Sequence, residues 1–161
     1  MLWNAISSPY HGPHVYVICT IDVVYIGETQ KHPVIRWGQH LEDGGTFRVR
    51  LAEKGNPDFA YLDDLLMFAK RCDWIMTRFT EAQWKTVTQA LEHTLHVKFA
   101  EDPRILGDHL RLISDTEKTA PRGFKYWDIV NGCAHDIVDE LRRAFNERPG
   151  LIRASDKRAK P

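Results

Sequence analysis

The sequence predicts an α+β domain (α/β in the broader sense) in which a small, mostly antiparallel sheet of three strands is flanked by helices. Two runs rich in valine and tyrosine predict a hairpin near the N-terminus, and segments with helical spacing of apolar residues follow them. Of the 161 residues, 43% are hydrophobic and 27% are charged, which is typical of a chain that buries a core. This length favours one domain with a terminal extension.

The hairpin is predicted from residues 14–19, HVYVIC, and residues 23–27, VVYIG, where β-branched and aromatic side chains dominate. A two-residue loop at positions 20–21 would place Tyr16 directly opposite Tyr25, with both rings on one face of the sheet. A three-residue loop would place the two rings on opposite faces. The turn sequence lacks Asn-Gly or Asp-Gly, so it leaves both registers open.

A helix is predicted directly after the hairpin. Residues 27–31 are polar and turn-like, and Pro33 suits the first turn of a helix that ends near residue 42. Arg36 and His40 are four residues apart in this helix, so we expect them on the same face.

The middle of the chain supplies the third strand. Residues 46–58 are ambiguous between a short helix and a strand. The leucine spacing of residues 61–71 indicates a helix, whereas the alternation in residues 73–79, DWIMTRF, predicts the third strand.

Two longer helices complete the prediction. Thr80, with Gln83 three residues on, forms a capping-box pattern that begins a helix extending to about residue 100. Residues 101–125 are irregular, with a short strand or helix around HLRLI, and a last helix is expected over residues 126–147. These elements divide the chain into a lead-in (1–13), a core (14–100) and a C-terminal helical extension with a basic tail packed on the core (101–161).

The charge balance argues against bulk electrostatic attachment to nucleic acid, because 22 lysines and arginines equal 22 aspartates and glutamates. A local basic surface is still expected toward the C-terminus. The three cysteines form no CxxC pair, no apolar run is long enough to span a membrane, and the N-terminus lacks a signal-peptide pattern. These features predict a cytoplasmic protein without membrane contact.

Five residues occur in an order that matches a known family. Tyr16, then Tyr25 within Tyr-Ile-Gly, then Arg36 and His40, and finally Glu92 within ALEHTLHVKF stand in sequence order. Together they resemble the catalytic domain of the GIY-YIG endonucleases over roughly residues 14–100. The resemblance implies a GIY-YIG nuclease-like fold and cleavage of DNA phosphodiester bonds. DNA is then the partner, and a homodimer is expected only if both strands are cut.

The resemblance also implies a role for each of the five residues. Glu92 would hold one divalent cation, Mg²⁺ or Mn²⁺, whose other ligands are waters and phosphate oxygens. Arg36 would grip the phosphate through its planar fork of donors. We favour Tyr16 as the general base, with Tyr25 and His40 orienting the water or relaying its proton, although the family pattern does not decide between the tyrosines.

Further residues are expected to contact substrate. Gly27 would let the backbone approach it closely, and Thr29 occupies a position where the family prefers a small hydroxyl residue. Basic side chains after the core would hold phosphates without reading sequence. These are Arg104, Arg111, Arg142 and Arg143.

Two departures from the family pattern keep other functions open. His14 replaces the glycine of the first motif, and no asparagine follows the glutamate helix near Pro103. The alternative function is therefore a catalytically inactive GIY-YIG-like module that binds nucleic acid or protein. A third hypothesis, a small-molecule or zinc enzyme using His93 and His96, lacks a second ligand pair with suitable spacing.

Overall fold

A computed structural model of the chain describes residues 11–20, 23–54, 65–106, 110–115 and 120–146. Within these ranges the chain forms four strands and five helices. In order they are β1 (His11–Cys19), β2 (Val23–Lys31), α1 (Pro33–Leu41), α2 (Thr46–Lys54), β3 (Leu66–Arg71), α3 (Asp73–Arg78), α4 (Glu81–Glu101), β4 (Arg111–Leu112) and α5 (Trp127–Asn146).

The strands form one mixed sheet in the order β3-β1-β2-β4. β1 pairs antiparallel with β2 and with β3, while β2 pairs parallel with β4. The α+β class with flanking helices is therefore confirmed. The expected three-stranded sheet is wrong by one strand, because two residues of the HLRLI segment add a parallel fourth strand.

The third strand lies in a different segment from the one predicted. β3 forms from the end of the segment expected to be a helix, and the expected strand at 73–79 contains helix α3 instead. Pairing with β1 overrides the helical leucine spacing, and it buries Phe68 and Ala69 on opposite faces of the sheet. Residues 61–64 of the predicted helix lie outside the described ranges.

Local signals placed the other helices correctly. α1 begins at Pro33, and the ring of His32 accepts a hydrogen bond from the Val34 N–H at 3.3 Å. α4 begins with the expected capping box, in which the Thr80 N–H donates to the Gln83 side chain at 3.1 Å. The last helix is confirmed as α5, and the ambiguous segment contains helix α2. The turn expected at 27–31 is wrong, because β2 continues through these residues.

Helices bury both faces of the sheet. A larger hydrophobic cluster joins one face to α4 and α5, with Leu91 and Leu141 both 0% exposed. A smaller cluster covers the other face with side chains of α1 and α2, including Phe47. The Lys70 ammonium and the Glu140 carboxylate, 2.5 Å apart, add an ion pair between β3 and α5. Among the described helices, none is long and apolar enough to cross a membrane.

Candidate active site

The hairpin register puts the two tyrosines on one face of the sheet. Tyr16 pairs with Gly27, and Ile18 pairs with Tyr25. Of the two arrangements that the sequence leaves open, the structure has the one with both rings on a shared face, but the tyrosines lie diagonally across the strands and not directly opposite each other. Their centroids are 6.5 Å apart and their planes are inclined by 23°.

His40 contacts both tyrosines from α1. Its Nε2 lies 2.6 Å from the Tyr16 hydroxyl, and its ring meets the Tyr25 ring edge-on at 4.9 Å. Burial, together with the nearby Arg36 charge, lowers the pKa of His40 to about 4. The ring is therefore neutral at pH 7, and its Nε2 can accept the hydroxyl proton of Tyr16 in a hydrogen bond.

Gly27 makes room for the Tyr16 side chain. A Cβ at this position would overlap the Tyr16 hydroxyl and ring, with Cε2 only 2.8 Å away. The sequence interpretation assigned this glycine to the approach of substrate. The geometry gives it a structural role as well, because the tyrosine ring lies across the glycine of the neighbouring strand.

Arg36 lies one helical turn before His40, and its charge affects the ionisation of the surrounding side chains. Its positive charge favours the ionised forms of Tyr16, Tyr25 and Glu92. It opposes protonation of His40. Its Nη1 donates to the Gln39 side chain at 2.9 Å.

Burial dominates the ionisation of the tyrosines. It raises the pKa of Tyr16 far above its usual value and that of Tyr25 to about 12, with Arg36 opposing the rise in both cases. Both phenols are therefore protonated in the protein alone. A base role for either one requires additional positive charge beside it.

Glu92 approaches this group from α4. The residue is half-buried, and burial followed by the charge of Glu28 raises the pKa of its carboxyl to about 8. No hydrogen bond or ion pair engages it within the described part of the chain. The negative charge of Glu92 opposes the ionisation of Tyr16 and Tyr25.

Successive residues of β2 face opposite sides of the sheet. Tyr25 and Gly27 face the smaller cluster, whereas Ile26 and Glu28 face α4. β4 pairs with β2 only at Val23 and Val24 in the described ranges. Beyond this pairing, the Ser114 hydroxyl hydrogen-bonds the Ile26 backbone on the same edge.

Glu28 is a site residue that the sequence analysis missed. Its pKa is raised by burial, and its carboxylate accepts a hydrogen bond from the Gln30 amide at 3.1 Å. The same amide donates to the Thr88 hydroxyl of α4 at 3.2 Å. Glu28 directly follows the Tyr-Ile-Gly motif, so extending the strand prediction by one residue would have placed it on the face toward α4.

A positive charge near Tyr25 was also missed. Arg50 of α2 favours ionisation of Tyr25 while it pairs with Glu53 at 2.9 Å and Asp115 at 3.2 Å. The ambiguous interpretation of residues 46–58 gave no basis for placing this side chain.

The other predicted substrate contacts are separate from the tyrosine group. The Thr29 hydroxyl accepts the Lys31 N–H at 3.0 Å. Arg111 donates to the Lys54 carbonyl at 2.5 Å, and Arg142 donates to the Ile105 carbonyl at 2.9 Å. The remaining two side chains are exposed, Arg104 after α4 and Arg143 on α5. Their contact with DNA stays a prediction.

The zinc hypothesis gains no support from the two histidines of α4. The buried His96 ring donates from Nε2 to the Ile26 carbonyl at 3.2 Å. His93 packs its ring against Trp127. Within the described residues, no group of three His, Cys, Asp or Glu side chains is arranged to hold a metal.

The donor set at Glu92 fits a hard cation nevertheless. After burial, the charge of Glu28 contributes to the raised pKa of the Glu92 carboxyl, so the two carboxylates lie within electrostatic range. Oxygen ligands of this kind suit Mg²⁺, which keeps several waters when bound. A cation would relieve the repulsion between them.

Searches with this chain found no matching protein-family model, curated protein or solved structure.

Proposed function

We propose that the chain is a metal-dependent endonuclease that hydrolyses DNA phosphodiester bonds. The observation that carries the proposal is the contact of His40 with Tyr16 and Tyr25, whose ionisation is affected by the charges of Arg36 and Glu92. These side chains supply a proton acceptor, a phosphate-binding cation and a carboxylate ligand. Phosphodiester hydrolysis needs those three functions.

In the proposed reaction a water oxygen bonds to phosphorus while one bridging P–O bond breaks. Tyr16 orients the attacking water and accepts its proton, and the neutral His40 ring, 2.6 Å from the hydroxyl, can take the phenolic proton. Arg36 stabilises the negative charge that grows on the phosphate oxygens. Tyr25 fixes the His40 ring by edge-to-face contact.

Glu92 would hold the Mg²⁺ or Mn²⁺ ion, with Glu28 as a neighbouring carboxylate. When bound, the cation supplies charge stabilisation to the phosphate and lowers the pKa of nearby acids. The chain's own contribution is to keep the Glu92 carboxylate half-buried beside Arg36, where solvent screens it little.

The order of the site residues along strand, strand, helix and long helix supports a GIY-YIG-like fold as part of this proposal. We also propose a cytoplasmic location, because all three cysteines are free thiols, as suits a reducing compartment.

Nicking of supercoiled plasmid DNA tests the activity. We expect the wild-type protein to convert plasmid to the open-circular form in Mg²⁺ and not in EDTA, and Glu92→Gln to lose at least two orders of magnitude in rate, on the order of the loss for a key electrostatic group. Glu101→Gln is the matched control, since this glutamate is an exposed residue of the same helix. Equal nicking by Glu92→Gln and wild type would contradict the proposal.

A catalytically inactive binding module is the second candidate, and the burial of Tyr16 favours it. Tyr16 is only 1% exposed, and burial opposes its ionisation. Such a module would bind DNA but would nick no form of DNA in Mg²⁺ or Mn²⁺.

A further inference from the structure

A cleft of about 340 Å³ lies between α4 and α5, and it is lined by His93, the residue after Glu92. Its volume is at the lower end of the roughly 300–1,000 Å³ typical of small-ligand pockets. α4 contributes one wall and the first turns of α5 contribute the other. The lining residues are His93, Thr94, Val97, Trp127, Asp128 and Asn131.

Part of the cleft lining is aromatic and apolar. Trp127 is half-buried and is held by two edge-on ring contacts, to His93 at 5.9 Å and to Phe124 at 5.0 Å. Val97 is 37% exposed and adds an aliphatic surface. A flat ligand can pack here, because the Trp127 ring is fixed before it arrives.

Two of the polar lining residues lie on α5. Asp128 and Asn131 are three residues apart, so both side chains project from one face of the helix into the cleft. No hydrogen bond or ion pair within the described residues engages either of them. A carboxylate acceptor and an amide that both donates and accepts are therefore available to a ligand.

A row of aromatic rings leads away from the cleft along the surface. Phe124 contacts Tyr126 at 5.7 Å, and Tyr126 contacts Phe79 at 5.2 Å. Tyr126 is 44% exposed, and the neighbouring Lys125 is exposed as well. Aromatic surfaces next to cationic side chains are the usual platform for unstacked nucleic-acid bases.

We propose that the cleft between α4 and α5 binds one unstacked nucleobase that carries an exocyclic amine, with Asp128 and Asn131 reading its edge beside the Trp127 ring. In this reading the base belongs to the strand that is cut, so this part rests on the proposed function. His93 directly follows Glu92, and the two side chains project about 100° apart around α4. A strand at Glu92 would thus have a neighbouring base within reach of the cleft.

The polar pair gives the cleft a preference among bases. A carboxylate accepts from the amine of cytosine, and an asparagine amide can pair bidentately with adenine. Thymine offers no amine to Asp128. We therefore expect adenine or cytosine to bind about tenfold more tightly than thymine, the order of discrimination of a good side-chain–base pair.

The test measures binding in the absence of cleavage. Full-length Glu92→Gln protein in EDTA is titrated with labelled single-stranded dA, dC and dT oligonucleotides, with an oligonucleotide of abasic sites, and with free dAMP. Asp128→Ala and Asn131→Ala are compared with Asp136→Ala, an exposed position of the same helix outside the cleft. Thermal melting of each variant shows that it is folded.

The inference holds if the preference for dA or dC over dT disappears in Asp128→Ala and Asn131→Ala and persists in Asp136→Ala. Weak binding of dAMP with tight binding of the oligonucleotide identifies the strand as the source of the base, whereas equal binding identifies a free nucleotide. Equal affinity for dA, dT and abasic strands overturns the inference. If the wild-type protein does not nick plasmid DNA in Mg²⁺ but the base preference is intact, only the nuclease function is refuted. If the wild-type protein nicks plasmid DNA but no base preference is measured, only the base site is refuted.

Discussion

At the residue scale, the Tyr16 hydroxyl and the His40 ring form a hydrogen bond with each other. Both residues are almost completely buried, since each is 1% exposed. Tyr16→Phe leaves Nε2 of His40 unpaired, and Nδ1 already lacks a partner among the described residues. We expect a loss of about 1–3 kcal/mol in the free energy of unfolding. Tyr25→Phe should change it by less than about 0.5 kcal/mol, because no hydrogen bond to the Tyr25 hydroxyl occurs in the described ranges. Urea denaturation of both variants measures the difference, and equal losses would contradict this assignment.

Gly27 tests the packing of Tyr16 directly. Gly27→Ala forces its new Cβ against the Tyr16 ring and should lower the free energy of unfolding by about 1–3 kcal/mol. In a Tyr16→Ala background most of that loss should vanish, because the obstacle is gone. Gly132→Ala is the control, since nothing lies within 4 Å of its added Cβ and alanine favours the helix. An undiminished loss in the double variant would show that the strain arises elsewhere.

In the metal-free protein, we expect the ionised Glu92 carboxylate to lower the free energy of unfolding. Its pKa of about 8 exceeds the ordinary 4.5, so the folded state holds this proton more tightly than the unfolded state does. The stabilising effect of the protonated carboxyl is therefore complete below about pH 4.5 and is lost as the pH rises through 8. In EDTA, Glu92→Gln should raise the melting temperature by a few degrees at pH 8.5 and by less at pH 5. Glu101→Gln is the control variant, at an exposed position of the same helix. An equal rise at both pH values for Glu92→Gln would count against the burial of an ionised carboxylate.

At the element scale, the segment that directly follows β4 is hydrogen-bonded to the centre of β2 through the Ser114 side chain. The Ser114 hydroxyl accepts the Ile26 N–H at 2.6 Å and donates to the Ile26 carbonyl at 3.1 Å. Ser114→Ala should cost about 1–3 kcal/mol of unfolding free energy, because it leaves a buried N–H unpaired. Thr77→Ala, which removes an exposed hydroxyl bonded to the Trp74 carbonyl, should cost much less. Equal costs would mean that Ser114 does not hold β4 against β2.

Elements with local signals were predictable from the sequence. Pro33 marks the start of α1, and the Thr80–Gln83 box marks the start of α4, because both act within one helical turn. β3 was not predictable in this way, since its strand conformation depends on pairing with β1. The hairpin register could not be predicted for a related reason, because the turn residues carry no strong preference for one turn type.

At the scale of the whole molecule, the family order of five residues predicted a shared site, and three of the five, Tyr16, Tyr25 and His40, are in contact. The resemblance identified Tyr16, Tyr25, Arg36, His40 and Glu92 without any knowledge of the sheet. It could not reveal Glu28, whose role depends on β2 continuing past Gly27 toward α4, or the fit of the Tyr16 ring over that glycine. Those features come from long-range contacts that no local pattern encodes.

The central claim is that β1, α1 and α4 contribute to one catalytic unit. The most direct test is the plasmid-nicking rate of Tyr16→Phe, Glu92→Gln and the double variant in Mg²⁺. Residues that act as a unit lose activity non-additively, so the double variant should be about as slow as the slower single variant. Losses that multiply, or wild-type nicking by either single variant, would contradict the claim.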